Sequence, residues 1–104
     1  MIILIDDDKL IHIGWKLKAS KKSISFTSFF SIEEFMIAAS TVDKKAIIYI
    51  DSHLKDGIRG EFEAEKIYSL GFKNINLTTG YDEEDFNLDQ FPWLIKVVSK
   101  NPPF

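Results

Sequence analysis

Five short apolar runs, separated by stretches of helical periodicity, constrain this chain more than any other feature. Ile2-Ile3-Leu4-Ile5 and Ala46 to Ile50 are continuous rather than alternating, as expected of strands buried on both faces. Ile24, Phe26 and Ser28 alternate with polar residues, which predicts a half-exposed strand at a sheet edge. Asn74 to Thr79 and Trp93 to Ser99 supply a fourth and a fifth strand. Lys9 to Ser20 reads as a helix, with Leu10, Ile13 and Leu17 at helical spacing. Ser31 and Glu34 form a capping box that opens a second helix through about Ala39. After a loop from Ser52 to Ile58, Phe62, Ile67 and Leu70 mark the inward face of a third helix. Gly71 stands where its C-terminus wants a left-handed residue. The acidic segment Tyr81 to Gln90 has room only for a short fourth helix.

Strands alternating with helices imply βαβ units around a parallel sheet. The expected fold is α/β, a flavodoxin-like doubly wound five-stranded sheet of order 2-1-3-4-5, with a short fourth helix and no fifth. In such sheets ligands bind at the carboxyl ends of the strands, near the switch in strand order. With 104 residues, the expectation is one domain spanning 1–104. A net charge of -3 gives no general attraction to nucleic acid or an anionic membrane. The apolar opening is too short for a signal peptide or a span. The lack of cysteine excludes disulfides and thiolate chemistry, and fits a cytoplasmic location.

The strand ends carry the chemistry. Asp6, Asp7 and Asp8 follow the first strand, Asp51 the third, Thr78-Thr79-Gly80 closes the fourth, and Lys100 follows the fifth. Carboxylates converging on one edge need a counter-charge, and Mg2+ suits a few carboxylates with water and phosphate oxygens. A lysine ammonium and a threonine hydroxyl are the groups that hold a transferring phosphoryl group. Taken singly, Asp8 reads first as a helix N-cap, Glu61, Glu63 and Glu65 as a solvated helix face, and His12 as a solvated or half-buried side chain.

In Ile-Leu-Ile-Asp6-Asp7-Asp8, Ile-Tyr-Ile-Asp51-Ser, Leu-Thr-Thr79-Gly80 and Ser-Lys100-Asn-Pro, the chain resembles the receiver domains of two-component response regulators. The resemblance runs in order up to Lys100. It implies that Asp51 accepts a phosphoryl group from a histidine kinase or a histidine phosphotransfer protein. It also implies that Asp6, Asp7, Asp51 and the backbone carbonyl of His53 hold Mg2+, while Thr79 and Lys100 bind the phosphoryl group. His53 and Tyr81 fall where the family tunes phosphoryl lifetime.

The chain departs from the family pattern in several places. Lys55 stands in the usual Pro place, the loop to Gly60 is one residue longer, and Val97 replaces the aromatic switch residue. Lys96 rivals Lys100, which is preferred because it lies at the strand's end. The chain stops where a fifth helix is expected, which predicts an uncovered apolar face, Trp15 included, that docks a second copy or a larger protein. Two alternatives stay open. One is a receiver-like interaction module that is never phosphorylated. The other is a small haloacid-dehalogenase-type phosphatase using Asp6 and Asp8, in which Leu10 is out of pattern.

Overall fold

The computed structural model describes residues 1–104. Its strands are β1 (Ile2–Ile5), β2 (Phe26–Phe29), β3 (Ile47–Asp51), β4 (Ile75–Thr79) and β5 (Val97–Ser99); its helices are α1 (Lys9–Lys21), α2 (Ile32–Ala38) and α3 (Gly60–Ser69). All strand pairs are parallel and the sheet order is β2-β1-β3-β4-β5, as the alternating pattern predicts. Of the two continuous apolar runs, β1 is buried at every position and β3 at all but its first; β4 is fully buried as well, and β2 lies at an edge, half exposed.

Local chemistry places the ends. The Asp8 carboxylate accepts the Leu10 N–H at 2.9 Å and caps α1. Ser31 Oγ accepts the Glu34 N–H at 3.1 Å to cap α2. The Glu34 carboxylate reaches back one residue further than the ideal box, to the Phe30 N–H. Gly71, at φ 106°, follows the C-cap of α3.

Several expectations fail on which helix face turns inward. Leu10, Ile13 and Leu17 are 75%, 44% and 59% exposed, and α1 instead buries His12, Trp15 and Ala19. Those three also share a helical face, and ring nitrogens that find partners make that face burial-competent. In α3, Ile67 is buried but Phe62 and Leu70 are exposed; Ala64 and Glu61 take the inward places. Glu61 is therefore not solvated: its carboxylate pairs with Arg59 at 2.8 Å. The acidic segment folds as two 3-10 turns, Glu83–Asp85 and Leu88–Gln90, and β5 begins only at Val97. Trp93 lies ahead of it and donates its indole N–H to the Glu61 carbonyl at 2.7 Å.

Most of the core lies on one face, where Ile3, Ile5, Ile48, Ile50, Ile75 and Leu77 meet α2, α3 and the 3-10 turns. The other face carries Ile2, Leu4 and Tyr49 under Trp15 of α1. Trp15 is buried rather than available for docking, with Phe104 edge-on to its ring at 5.8 Å.

Candidate phosphoryl-acceptor site

Three chain segments distant in sequence meet at the carboxyl edge of the sheet. Register brings them level: Ile5 pairs with Ile50, and Asp51 with Thr78. The residues immediately after each strand therefore share one rim. Carboxylate oxygens of Asp6, Asp7 and Asp51 all lie within 4.8 Å of one another. Lys100, one residue beyond β5, places its ammonium 2.8 Å from Asp6 Oδ2 and 2.8 Å from Asp51 Oδ1. Lys96 is exposed, and its backbone carbonyl serves the β4–β5 ladder.

Burial makes this cluster electrostatically tense. Asp6 and Asp51 are 0% and 3% exposed. Loss of water pushes the Asp51 carboxyl above its ordinary range, and the Asp6 charge adds to this. The Lys100 hydrogen bond and charge, with the His53 N–H, oppose it. For Lys100 burial disfavours the ammonium, but hydrogen bonds and charges from Asp51 and Asp6 outweigh it and hold the pKa above that of ordinary lysine.

Three carboxylates facing one ammonium leave negative charge that a divalent cation would neutralise. The donor set is hard oxygen, which suits Mg2+. The residues present fit such an ion.

The rim is finished by β4 and by the loop after β3. Thr79 is buried, and its Oγ1 accepts the Tyr81 N–H at 3.0 Å, leaving the hydroxyl proton free to be donated. The His53 N–H reaches Asp51 Oδ1 at 3.2 Å, while its exposed ring lies 4.9 Å from that of Tyr81. His53, Tyr81, Arg59, Asp85 and Phe86 line a shallow opening beside the cluster. Gly60 is required here: a Cβ on it would stand 1.9 Å from the Asp51 carbonyl oxygen.

Two supporting side chains escaped the sequence reading. Trp15 donates its indole N–H to the Lys100 carbonyl at 2.8 Å, which ties α1 to the lysine. His12 contacts the backbone of Asp6. Their spacing with Ala19 was the available signal, but the more apolar stripe Leu10, Ile13 and Leu17 masked it.

No family model and no curated protein matches the chain. Among solved structures, the response regulator StyR superposes with a TM-score of 0.75 at 15% identity, over 99% of this chain and 51% of that one. A CheY-like receiver domain protein from Methanospirillum hungatei JF-1 gives 0.67 at 16% identity, over 99% and 82%. The fold is the receiver fold. The chain spans about half the length of StyR, so the likeness concerns one part of that protein. No helix of this receiver fold is long and apolar enough to cross a membrane.

Proposed function

We propose that the chain is a two-component receiver that takes a phosphoryl group from a phosphohistidine onto Asp51. The observation that carries this reading is Lys100, which bridges Asp6 and Asp51 at 2.8 Å each, beside the exposed Asp7. An Asp51 carboxylate oxygen attacks phosphorus in line, the new P–O bond forms as the P–N bond breaks, and the freed imidazole leaves with the donor. Lys100 is placed to follow charge from the Asp51 carboxylate onto a phosphoryl oxygen, and Thr79 to donate its free hydroxyl proton to another. A divalent cation held by Asp6, Asp7, Asp51 and the His53 carbonyl would supply neutralisation of the phosphoryl oxygens. Water attack in the same site later regenerates Asp51.

The phosphodonor protein, a histidine kinase or histidine phosphotransfer protein, docks on α1 in this reading. Its outward face carries Leu10, Ile13 and Leu17, flanked by Lys9, Lys16 and Lys21. A single receiver unit working in a reducing cytoplasm, and signalling by partner binding or phosphorelay, completes the proposal. Two observations bear on the alternatives. Lys100 pairs with both Asp6 and Asp51, a contact that an interaction module would equally need in order to bury the two carboxylates. Both Asp6 oxygens are engaged, by Lys100 and by the Asp8 N–H, and Asp8 is spent as a cap, which disfavours the phosphatase.

The test is incubation with Mg2+ and acetyl phosphate, read by intact mass, for the wild type, Asp51→Asn and Asp6→Asn. A gain of about 80 Da, one phosphoryl group, that needs the metal and disappears in Asp51→Asn supports the receiver. No adduct in the wild type moves the weight to the interaction module. An adduct that survives Asp51→Asn and vanishes in Asp6→Asn moves it to the phosphatase.

A further inference from the structure

We infer that His12 is a positioning residue for the cation-binding aspartates, acting through the backbone of Asp6; the inference rests on the receiver reading above. The imidazole is 6% exposed and sits between three elements. Its Nε2 lies 2.5 Å from the Asp6 carbonyl oxygen, and its Nδ1 lies 2.7 Å from Ser28 Oγ on β2. The ring stacks on Phe30, centroids 4.0 Å apart and planes 5° apart. A carbonyl can only accept, so Nε2 carries the proton, and Nδ1 can accept from the Ser28 hydroxyl.

This contact matters because of what the Asp6 carbonyl otherwise lacks. No backbone N–H reaches it: β1 ends at Ile5, and α1 draws its first turn from the Asp8 carbonyl instead. His12 is the partner that satisfies it. The Asp6 carbonyl belongs to the peptide that joins Asp6 to Asp7, so holding it fixes the plane from which Asp7 departs. Asp7 is exposed, and its carboxylate makes no hydrogen bond within the chain. Its place beside Asp6 and Asp51 is therefore set by the backbone alone. Asp6 has further anchors in Lys100 and the Asp8 N–H. The loss of His12 should accordingly weaken the cation site chiefly by loosening Asp7.

The length of the side chain provides the test. In His12→Gln an amide N–H takes the place of Nε2–H and reaches the Asp6 carbonyl. In His12→Asn the shorter amide reaches Ser28 but not Asp6. His12→Phe keeps the stacking on Phe30 and loses both hydrogen bonds. Mn2+ binding to the full chain, followed by the electron paramagnetic resonance of free Mn2+, gives a dissociation constant without any phosphodonor. Melting of the metal-free proteins is recorded alongside.

His12→Phe and His12→Asn should raise the Mn2+ dissociation constant on the order of tenfold, as loss of supporting groups around metal ligands does. His12→Gln should stay within about threefold of the wild type, short of that loss, even where it melts as low as His12→Asn. Gln and Asn equally weakened, or Phe and Asn binding like the wild type, would overturn the positioning role. If His12→Phe does not fold, the Gln and Asn pair decides alone. A wild type that binds no Mn2+ overturns the receiver reading itself, and this inference with it.

Discussion

On one face of the sheet 16 buried residues from the strands, α2, α3 and the segments that connect them form a continuous apolar cluster; on the other only Ile2, Leu4, Trp15 and Tyr49 are buried together. The first face is stitched by aromatic edges, with Phe35 against Phe29 at 5.5 Å and against Phe72 at 5.4 Å. The second is covered by α1 and by the last residues of the chain, and it carries buried polar side chains, Asn76 and Thr78. Stability is concentrated on the first face. The second is where packing and chemistry share residues, since Trp15 both fills the small core and holds the Lys100 carbonyl.

That division is most directly broken by truncation on each side. Phe35→Ala removes a fully buried ring and should cost about 4 kcal/mol, read from urea denaturation. Trp15→Phe keeps an aromatic ring and gives up the indole hydrogen bond, so about 1–2 kcal/mol is expected. Phosphoryl uptake should reverse the order. Trp15→Phe should slow it by releasing Lys100, while Phe35→Ala, assayed where it is still folded, should leave it near the wild-type rate. Equal stability costs, or uptake slowed more by Phe35→Ala, would remove the distinction between the faces.

The charged rim sharpens the same comparison with a smaller effect. Lys100→Met leaves two buried carboxylates facing each other without their ammonium. A fully buried pair loses about 3–5 kcal/mol when broken; with the lysine side chain 25% exposed, about 2 kcal/mol is expected. The pH dependence has a defined sign. The folded state holds the Lys100 pKa above its ordinary value, so the native protein keeps this proton longer than the unfolded chain. The stabilisation is fully present below the ordinary lysine range and is lost as pH rises through the folded value. The wild type should therefore lose stability above about pH 10.4 more steeply than Lys100→Met, whose midpoint should respond more strongly to added Mg2+.

The sequence and the structure agree where one pattern admits one reading. The strand order followed from unbroken apolar runs in β1 and the third strand, and the Asp8 cap and Gly71 needed only local geometry. The convergence of Asp6, Asp7, Asp51 and Lys100 was legible for the same reason: parallel strands put all their carboxyl ends on one rim. The inward helix faces were not legible, because hydropathy ranks Leu10, Ile13 and Leu17 above His12, Trp15 and Ala19. It says nothing of the hydrogen bonds that make a histidine or an indole good to bury. Glu61 escaped likewise, its burial depending on Arg59 two residues away. The 3-10 turns between Tyr81 and Trp93 reflect a segment with alternating caps at Asp82 and Asn87, each accepting an N–H two residues on.

The smallest expected effect lies at Thr78, in the middle of the sparse face. Strand alternation sets Asn76 and Thr78 on the face opposite Ile75 and Leu77. Asn76 donates its amide to the Ile48 carbonyl and to Asn74 Oδ1, but its own Oδ1 is unpaired, as is the Thr78 hydroxyl. A buried hydroxyl without a partner costs stability that an isosteric methyl does not. Thr78→Val keeps the shape and the β-branching, so it should stabilise by up to about 1 kcal/mol. The comparison residue is Thr79, whose hydroxyl accepts the Tyr81 N–H; Thr79→Val should destabilise by about 1 kcal/mol and slow phosphoryl uptake, while Thr78→Val leaves uptake unchanged. If Thr78→Val destabilises as much as Thr79→Val, the hydroxyl is satisfied in solution by an ordered water, and the thin cover of this face admits solvent to the strand beneath it.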